Sequence, residues 1–207
     1  MVAIVDYDAG NLRSVQRACQ HVGIDAEITS DPEVIIRADK VIFPGVGSAV
    51  SAVDTLKSRG LDEALKEFYQ SGKPLLGICL GLQIALDYTE EGNKDCLGLV
   101  RGACEKFDFT DGSIKVPHIG WNEVEVVQSH PMLKNIESGD EFYFVHSYFA
   151  RPENATEIYG TTEYGDQKFA SIIAKDNLFS TQFHLEKSGK TGLRLLAEFA
   201  HWQGSPC

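Results

Sequence analysis

The chain is 207 residues long, 43% hydrophobic and 24% charged, enough for one sizeable core and too short for two full domains, so a single domain over 1–207 is expected. A formal charge of −11, from 19 basic and 30 acidic side chains, argues against nucleic acid as a partner, because phosphate-backbone binding needs clustered cations. No apolar run approaches the length that spans a bilayer, and MVAIVDYDAG enters a strand pattern at once rather than a leader, which points to the cytoplasm and no membrane.

Short apolar runs alternate with helical periodicity through the first half. A strand is expected over 2–7, followed by a helix carrying Leu12, Val15, Ala18, Cys19 and Val22 on one face. Next come a strand at 26–29, a helix opened by Asp31-Pro32, a strand at 41–43 and paired helical segments within 48–71. The apolar run 74–76 then leads into Cys79. This rhythm predicts an α/β fold: an open, mostly parallel sheet with helices on both faces. The pattern changes after Gly102 to β-type runs at 123–127, 141–149 and 170–173, which add antiparallel strands and make the sheet mixed. The last element reads as a helix burying Leu193, Leu196, Ala197 and Ala200. Functional sites in such sheets collect at the carboxyl ends of strands, where Cys79 is expected.

Gly77-Ile78-Cys79-Leu80-Gly81 places a cysteine two residues from a glycine on each side. That spacing suits a strained strand-to-helix elbow, with the middle residue exposed at a helix N-terminus where the thiolate is favoured. The alternative is a small buried hydrophobe, as many free cysteines are. Five cysteines (Cys19, Cys79, Cys96, Cys104, Cys207) without C-x-x-C spacing argue for free thiols and against a metal site.

A thiolate nucleophile needs a proton carrier, and among the histidines His184 stands out because it closes the apolar run 179–183 and precedes Glu186 by two residues. In extended chain, positions i and i+2 share a face, so Glu186 can orient the imidazole and complete a Cys79, His184, Glu186 triad. The backbone N–H of Leu80 offers one donor to an oxyanion, and the glycine-permitted turn Pro44-Gly45-Val46-Gly47 offers Val46 or Gly47 as a second, or is an ordinary tight turn. Val50 occupies the last glycine position of G-x-G-x-x-G, which rules out a dinucleotide loop, and Ser188-Gly189-Lys190-Thr191 lacks the leading glycine of a phosphate loop and reads as a helix start. Trp121, in Pro117-His118-Ile119-Gly120-Trp121-Asn122, is either a core aromatic at a strand edge or an exposed interface anchor.

Taken together, the Cys79 elbow with Gln83 downstream, the Pro44 to Gly47 turn, His146-Ser147-Tyr148 and Gln182-Phe183-His184-x-Glu186 resemble the class I glutamine amidotransferases, in order along nearly the whole chain. Asp6-Tyr7-Asp8-Ala9-Gly10-Asn11-Leu12 and the block 116–122 resemble one branch of it, the glutaminase subunits of imidazole glycerol phosphate synthase; glutaminases of anthranilate or guanylate synthesis are the nearest rivals. The resemblance implies the family's flavodoxin-like sheet, glutamine as substrate and no cofactor. It also implies that Cys79 attacks the glutamine amide, that His184 and Glu186 assist, and that Leu80, Val46 and Gly47 form the oxyanion hole. Gln83, Ser147 and Tyr148 would position glutamine. A separate cyclase subunit would receive the ammonia, forming a heterodimer in histidine biosynthesis, with Gly10, Asn11, Trp121, Asn122, Tyr143 and Lys187 near that interface. Leu185 stands where the family usually carries proline, which loosens the chain around Glu186.

Overall fold

The computed structural model of the chain describes residues 1–8, 10–110, 112 and 114–205; of the residues singled out above, Ala9 and Cys207 lie outside them. The first half follows the expected alternation. Strand β1 (Val2–Val5) leads to α1 (Leu12–His21), which buries Val15, Ala18 and Cys19. Strand β2 (Ala26–Thr29) leads to α2 (Pro32–Arg37), where Pro32 occupies the first turn and the Asp31 carboxylate accepts from the Glu33 N–H at 2.9 Å. That is the helix start the Asp31-Pro32 pair encodes. Strand β3 (Lys40–Gly45), helices α3 (Ala49–Ser58) and α4 (Leu61–Gln70), strand β4 (Leu75–Cys79) and the short helix α5 (Leu80–Ala85) complete this half.

The second half adds the short strands β5 (Tyr88–Thr89) and β6 (Lys94–Asp95), then β7 (Gly102–Lys106), β8 (His118–Val126), β9 (Asp140–His146), β10 (Tyr148–Pro152), β11 (Ile158–Tyr164), β12 (Gln167–Lys175) and β13 (Leu178–Thr181), before α6 (Gly189–His201). The main path of the sheet runs β2-β1-β3-β4-β13-β12-β10-β7-β5-β6. From β2 to β13 neighbouring strands are parallel, and β12, β10 and β7 continue antiparallel. β11 leaves this path at β12 to reach β8, which pairs antiparallel with β9.

Apolar residues on the two faces form two clusters. One holds Phe43, Leu56, Leu65 and Phe68 beneath α3 and α4, and the other holds Ile42, Phe142, Phe144, Phe183 and Phe199 beneath α1 and α6. Each such side chain contributes on the order of 1.5–3 kcal/mol by leaving water.

Three sequence expectations need correction. The run 141–149 is two strands, because the chain leaves its pairing with β8 at His146 and joins β7 from Tyr148, turning Ser147 and Tyr148 toward a cavity. The block around Trp121 is strand from His118 onward, so β8 begins well before 123. In α6 the buried face is Gly192, Leu195, Leu196 and Phe199, while Leu193, Ala197 and Ala200 are half-buried. Gly192 sets this rotation, since a Cβ there would lie 2.0 Å from the Leu185 carbonyl oxygen. Among the described residues no helix is long and apolar enough to cross a membrane, and Cys19, Cys79, Cys96 and Cys104 are free thiols.

Candidate active site

Cys79 ends β4 and caps α5 with φ 54° and ψ −100°, a conformation a non-glycine residue rarely adopts and one that persists only when its surroundings impose it. The flanking glycines supply those surroundings. A Cβ on Gly77 would lie 2.5 Å from Ser180 Oγ, and one on Gly81 would lie 1.9 Å from the Phe43 carbonyl oxygen, so the elbow closes against β13 and β3 only without side chains at these positions. Register places Gly45, the last residue of β3, beside Cys79. The elbow therefore lies at the carboxyl ends of β3 and β4.

The thiol is less open than the elbow suggests, with Cys79 only 5% exposed, and it is reached through a cavity of about 520 Å³. Asn11, Val46, Gly47, Cys79, Leu80, Gln83, Ser147, Tyr148 and Lys187, all singled out from the sequence, line that cavity. Glu91, Pro117, Val145 and His146 join them. Gly47 has φ +102°, which a side chain would strain, while Gly10 packs beside the turn, where a Cβ would touch Val46 Cγ2 at 3.4 Å.

His184 and Glu186 lie behind the cavity wall, with side chains 2% and 1% exposed, and His184 Nδ1 donates to Glu186 Oε1 at 2.7 Å. The pairing forms by a route other than strand alternation: Leu185–Lys187 is a 3₁₀ turn, closed by Lys187 N–H to the His184 carbonyl at 3.1 Å. Leu185, 1% exposed, anchors this turn in the core. Ser188, read as a helix start, precedes α6; its hydroxyl donates to the His184 carbonyl and accepts from the Tyr143 N–H at 3.0 Å.

Burial is the largest single influence on His184 and pushes its pKa down, but the Cys79 sulfur and the Glu186 carboxylate together outweigh it and raise the imidazole from 6.5 to about 10. His184 Nε2 has no hydrogen-bond partner of ordinary geometry, and the Cys79 sulfur raises the imidazole chiefly through its charge. Catalytic contacts commonly tighten only when substrate is bound.

Long-range contacts add residues the sequence did not flag for these roles. The buried Gln182 donates through Nε2 to Cys79 Sγ at 3.7 Å, and its Oε1 accepts from Gln83 Nε2 at 3.4 Å. Gln83 Nε2 also donates to the Tyr148 carbonyl at 2.8 Å. Asn11 Nδ2 donates to Glu186 Oε1, placing this expected interface residue against the triad carboxylate. The Glu91 carboxylate takes the place of a helix cap on α3, accepting from the Ala49 N–H at 2.9 Å, and also faces the cavity. Of the two residues here that the sequence had not assigned to the site, Gln182 and Glu91, only Gln182 carried a sequence signal, its place in the run before His184.

On the outer side, Trp121 is 53% exposed, which decides against the core reading. Its ring meets Tyr143 edge-on at 6.1 Å, and Lys187 Nζ sits 5.9 Å over the Tyr143 ring. Next to Trp121, Asn122 is half-buried and donates to the Glu163 carbonyl at 2.9 Å.

The class I glutamine amidotransferase family profile matches residues 3–202. The chain is 49% identical over 204 residues to the imidazole glycerol phosphate synthase subunit HisH of Maridesulfovibrio salexigens, covering 96% of this chain and 95% of that one. It belongs to the class I glutamine amidotransferases, among the HisH subunits. With the HisH subunit of Neisseria meningitidis serogroup B it shares 46% identity over 211 residues, covering 97% of this chain and 99% of that protein. The fold of this amidotransferase also matches a crystal structure described as a glutamine amidotransferase, at TM-score 0.76 and 18% identity, covering 98% of this chain and 100% of that one. The glutaminase domain of Trypanosoma brucei CTPS matches at TM-score 0.68 and 18% identity, covering 100% of this chain and 96% of that one.

Proposed function

We propose that this HisH-type glutaminase hydrolyses glutamine with a Cys79, His184, Glu186 triad and passes the ammonia to a cyclase subunit bound over Trp121, working in the cytoplasm. The observation that carries the reading is a strained cysteine on the wall of a cavity that fits a small polar ligand, with a hydrogen-bonded imidazole and carboxylate buried behind that wall. Glu186 accepts the proton-bearing Nδ1 of His184, which leaves Nε2 for the sulfur. The Cys79 thiolate attacks the glutamine amide carbon, and the oxyanion is held by the Leu80 N–H and by Val46 or Gly47 from the turn. His184 gives its proton to the departing ammonia. It then takes one from the water that cleaves the glutamyl thioester, releasing glutamate and restoring Cys79. Gln83, Ser147 and Tyr148 hold the substrate, and the Glu91 carboxylate is placed to meet the glutamine α-ammonium.

Ammonia in water near neutral pH is mostly protonated and unreactive, so it must pass to the cyclase without meeting solvent. Asn11 and Lys187 line the cavity, and Tyr143 and Trp121 continue from Lys187 to the surface, which makes this the expected exit side. The glycines around Val46 let one donor turn away until the partner binds, so the glutaminase is latent when alone. The test compares glutamine hydrolysis by the chain alone, with cyclase, and with cyclase plus its nucleotide substrate. Rates that rise stepwise support the reading, and equal rates in all three contradict the latency.

A further inference from the structure

Beside Tyr148 lies a buried pair of histidines that the proposed chemistry does not use, His146 on the cavity wall and His118 behind it. His146 Nδ1 contacts the Tyr148 carbonyl at 2.8 Å, His146 Nε2 contacts His118 Nδ1 at 3.2 Å, and His118 Nε2 contacts Asn122 Nδ2 at 3.3 Å. A carbonyl only accepts, so His146 must carry its proton on Nδ1 and present Nε2 as an acceptor. His118 must then donate from Nδ1 and accept at Nε2, where the Asn122 amide supplies the donor. The chain therefore has one polarity, from Asn122 on β8 to the Tyr148 carbonyl at the cavity, and each ring is neutral. Burial favours the same state, lowering His118 from 6.5 to about 4 and His146 to about 3. His118 is held between Phe144 and Tyr164, with ring centroids 4.9 and 4.0 Å away and both pairs stacked at 23°.

The Tyr148 carbonyl accepts from Gln83 Nε2 as well, so the relay and the Gln83 side chain fix the same oxygen from two directions. We propose that Asn122, His118 and His146 form a directional hydrogen-bond relay that positions the 146–148 wall of the glutamine pocket, with His118 as a positioning residue for substrate affinity. The inference rests on the cavity being the glutamine pocket, which Gln83→Ala tests separately by its effect on KM. His118 itself lies outside that cavity.

The test is steady-state glutaminase kinetics of the full chain with its cyclase partner, with active sites counted by covalent labelling of Cys79. His118→Phe keeps the aromatic stack and removes both hydrogen bonds of the ring; it should raise the KM for glutamine about tenfold, with kcat per labelled site changed less than about twofold. His118→Asn restores a donor toward His146 and should recover most of that loss. An unchanged KM, or no recovery by asparagine, overturns the proposal. A raised KM in Gln83→Ala alongside an unaffected His118→Phe leaves the pocket standing and removes the relay. Nitrogen-15 NMR of the unmutated chain gives a second readout if the variants fold poorly. Both rings should be neutral with the proton on Nδ1 at pH 7, and a proton on His146 Nε2 would refute the relay.

Discussion

Gly45 is where the packing of the site can be tested most sharply. A Cβ built there would lie 1.9 Å from Tyr7 Oη, 3.0 Å from Leu80 Cβ and 3.1 Å from Tyr7 Cζ. Tyr7 is 1% exposed and its hydroxyl donates to the Pro44 carbonyl at 2.8 Å, so it cannot swing away without leaving that carbonyl unpaired beside the proposed oxyanion turn. Gly45→Ala must therefore displace backbone, at a cost of about 3 kcal/mol. Tyr7→Phe loses one buried hydrogen bond and costs about 1–2 kcal/mol. In the double variant the 1.9 Å overlap is gone and the remaining contacts need shifts of only a few tenths of an ångström, so alanine costs about 1 kcal/mol in that background. The two effects should fall short of additivity by about 2 kcal/mol in a double-mutant cycle read by urea unfolding at constant m-value. Additivity within about 0.5 kcal/mol would show that Tyr7 does not confine the turn as the structure has it.

Other consequences follow from the same geometry. Glu186→Gln removes the charge that helps hold His184 protonated and should lower kcat by about 10²–10³, with the imidazole pKa falling from about 10; an unshifted pH–rate profile would exclude the carboxylate from that role. His146, lowered in the fold to about 3 from an ordinary 6.5, stays neutral while an unfolded chain takes up a proton. Its contribution to stability is thus complete above pH 6.5 and is lost as pH falls toward 3, at up to about 1.4 kcal/mol per pH unit. Urea midpoints from pH 7 to 5 should fall more steeply for the unmutated chain than for His146→Asn, and parallel slopes would contradict this. Trp121→Ala should leave unfolding unchanged and weaken cyclase binding by about 2 kcal/mol or more, measured by titration calorimetry.

The elbow, the glycine turn and the His184, Glu186 pair were legible because each is set by residues a few positions apart, where spacing alone carries geometry. Even there the local route differed: the histidine and its carboxylate meet across a 3₁₀ turn, and Ser147 breaks what reads as one strand because the chain changes pairing partners. The contacts that complete the site were illegible for the opposite reason. Asn11 and Glu186 are 175 residues apart, Cys79 and Gln182 are 103 apart, and His118 and His146 meet only through the register of β8 with β9. No periodicity in a single chain encodes such meetings. The sheet order brings them about, and the buried face of α6 is set likewise by the close approach of Gly192 to the Leu185 carbonyl.

The most direct test of the triad assignment is ammonia and glutamate release from glutamine by the assembled complex, comparing the unmutated chain with Cys79→Ala and measuring in parallel the cyclase reaction driven by added ammonium. Cys79→Ala should abolish glutamine turnover while the ammonium-driven reaction continues at its normal rate. Undiminished glutamine hydrolysis by Cys79→Ala would contradict the assignment.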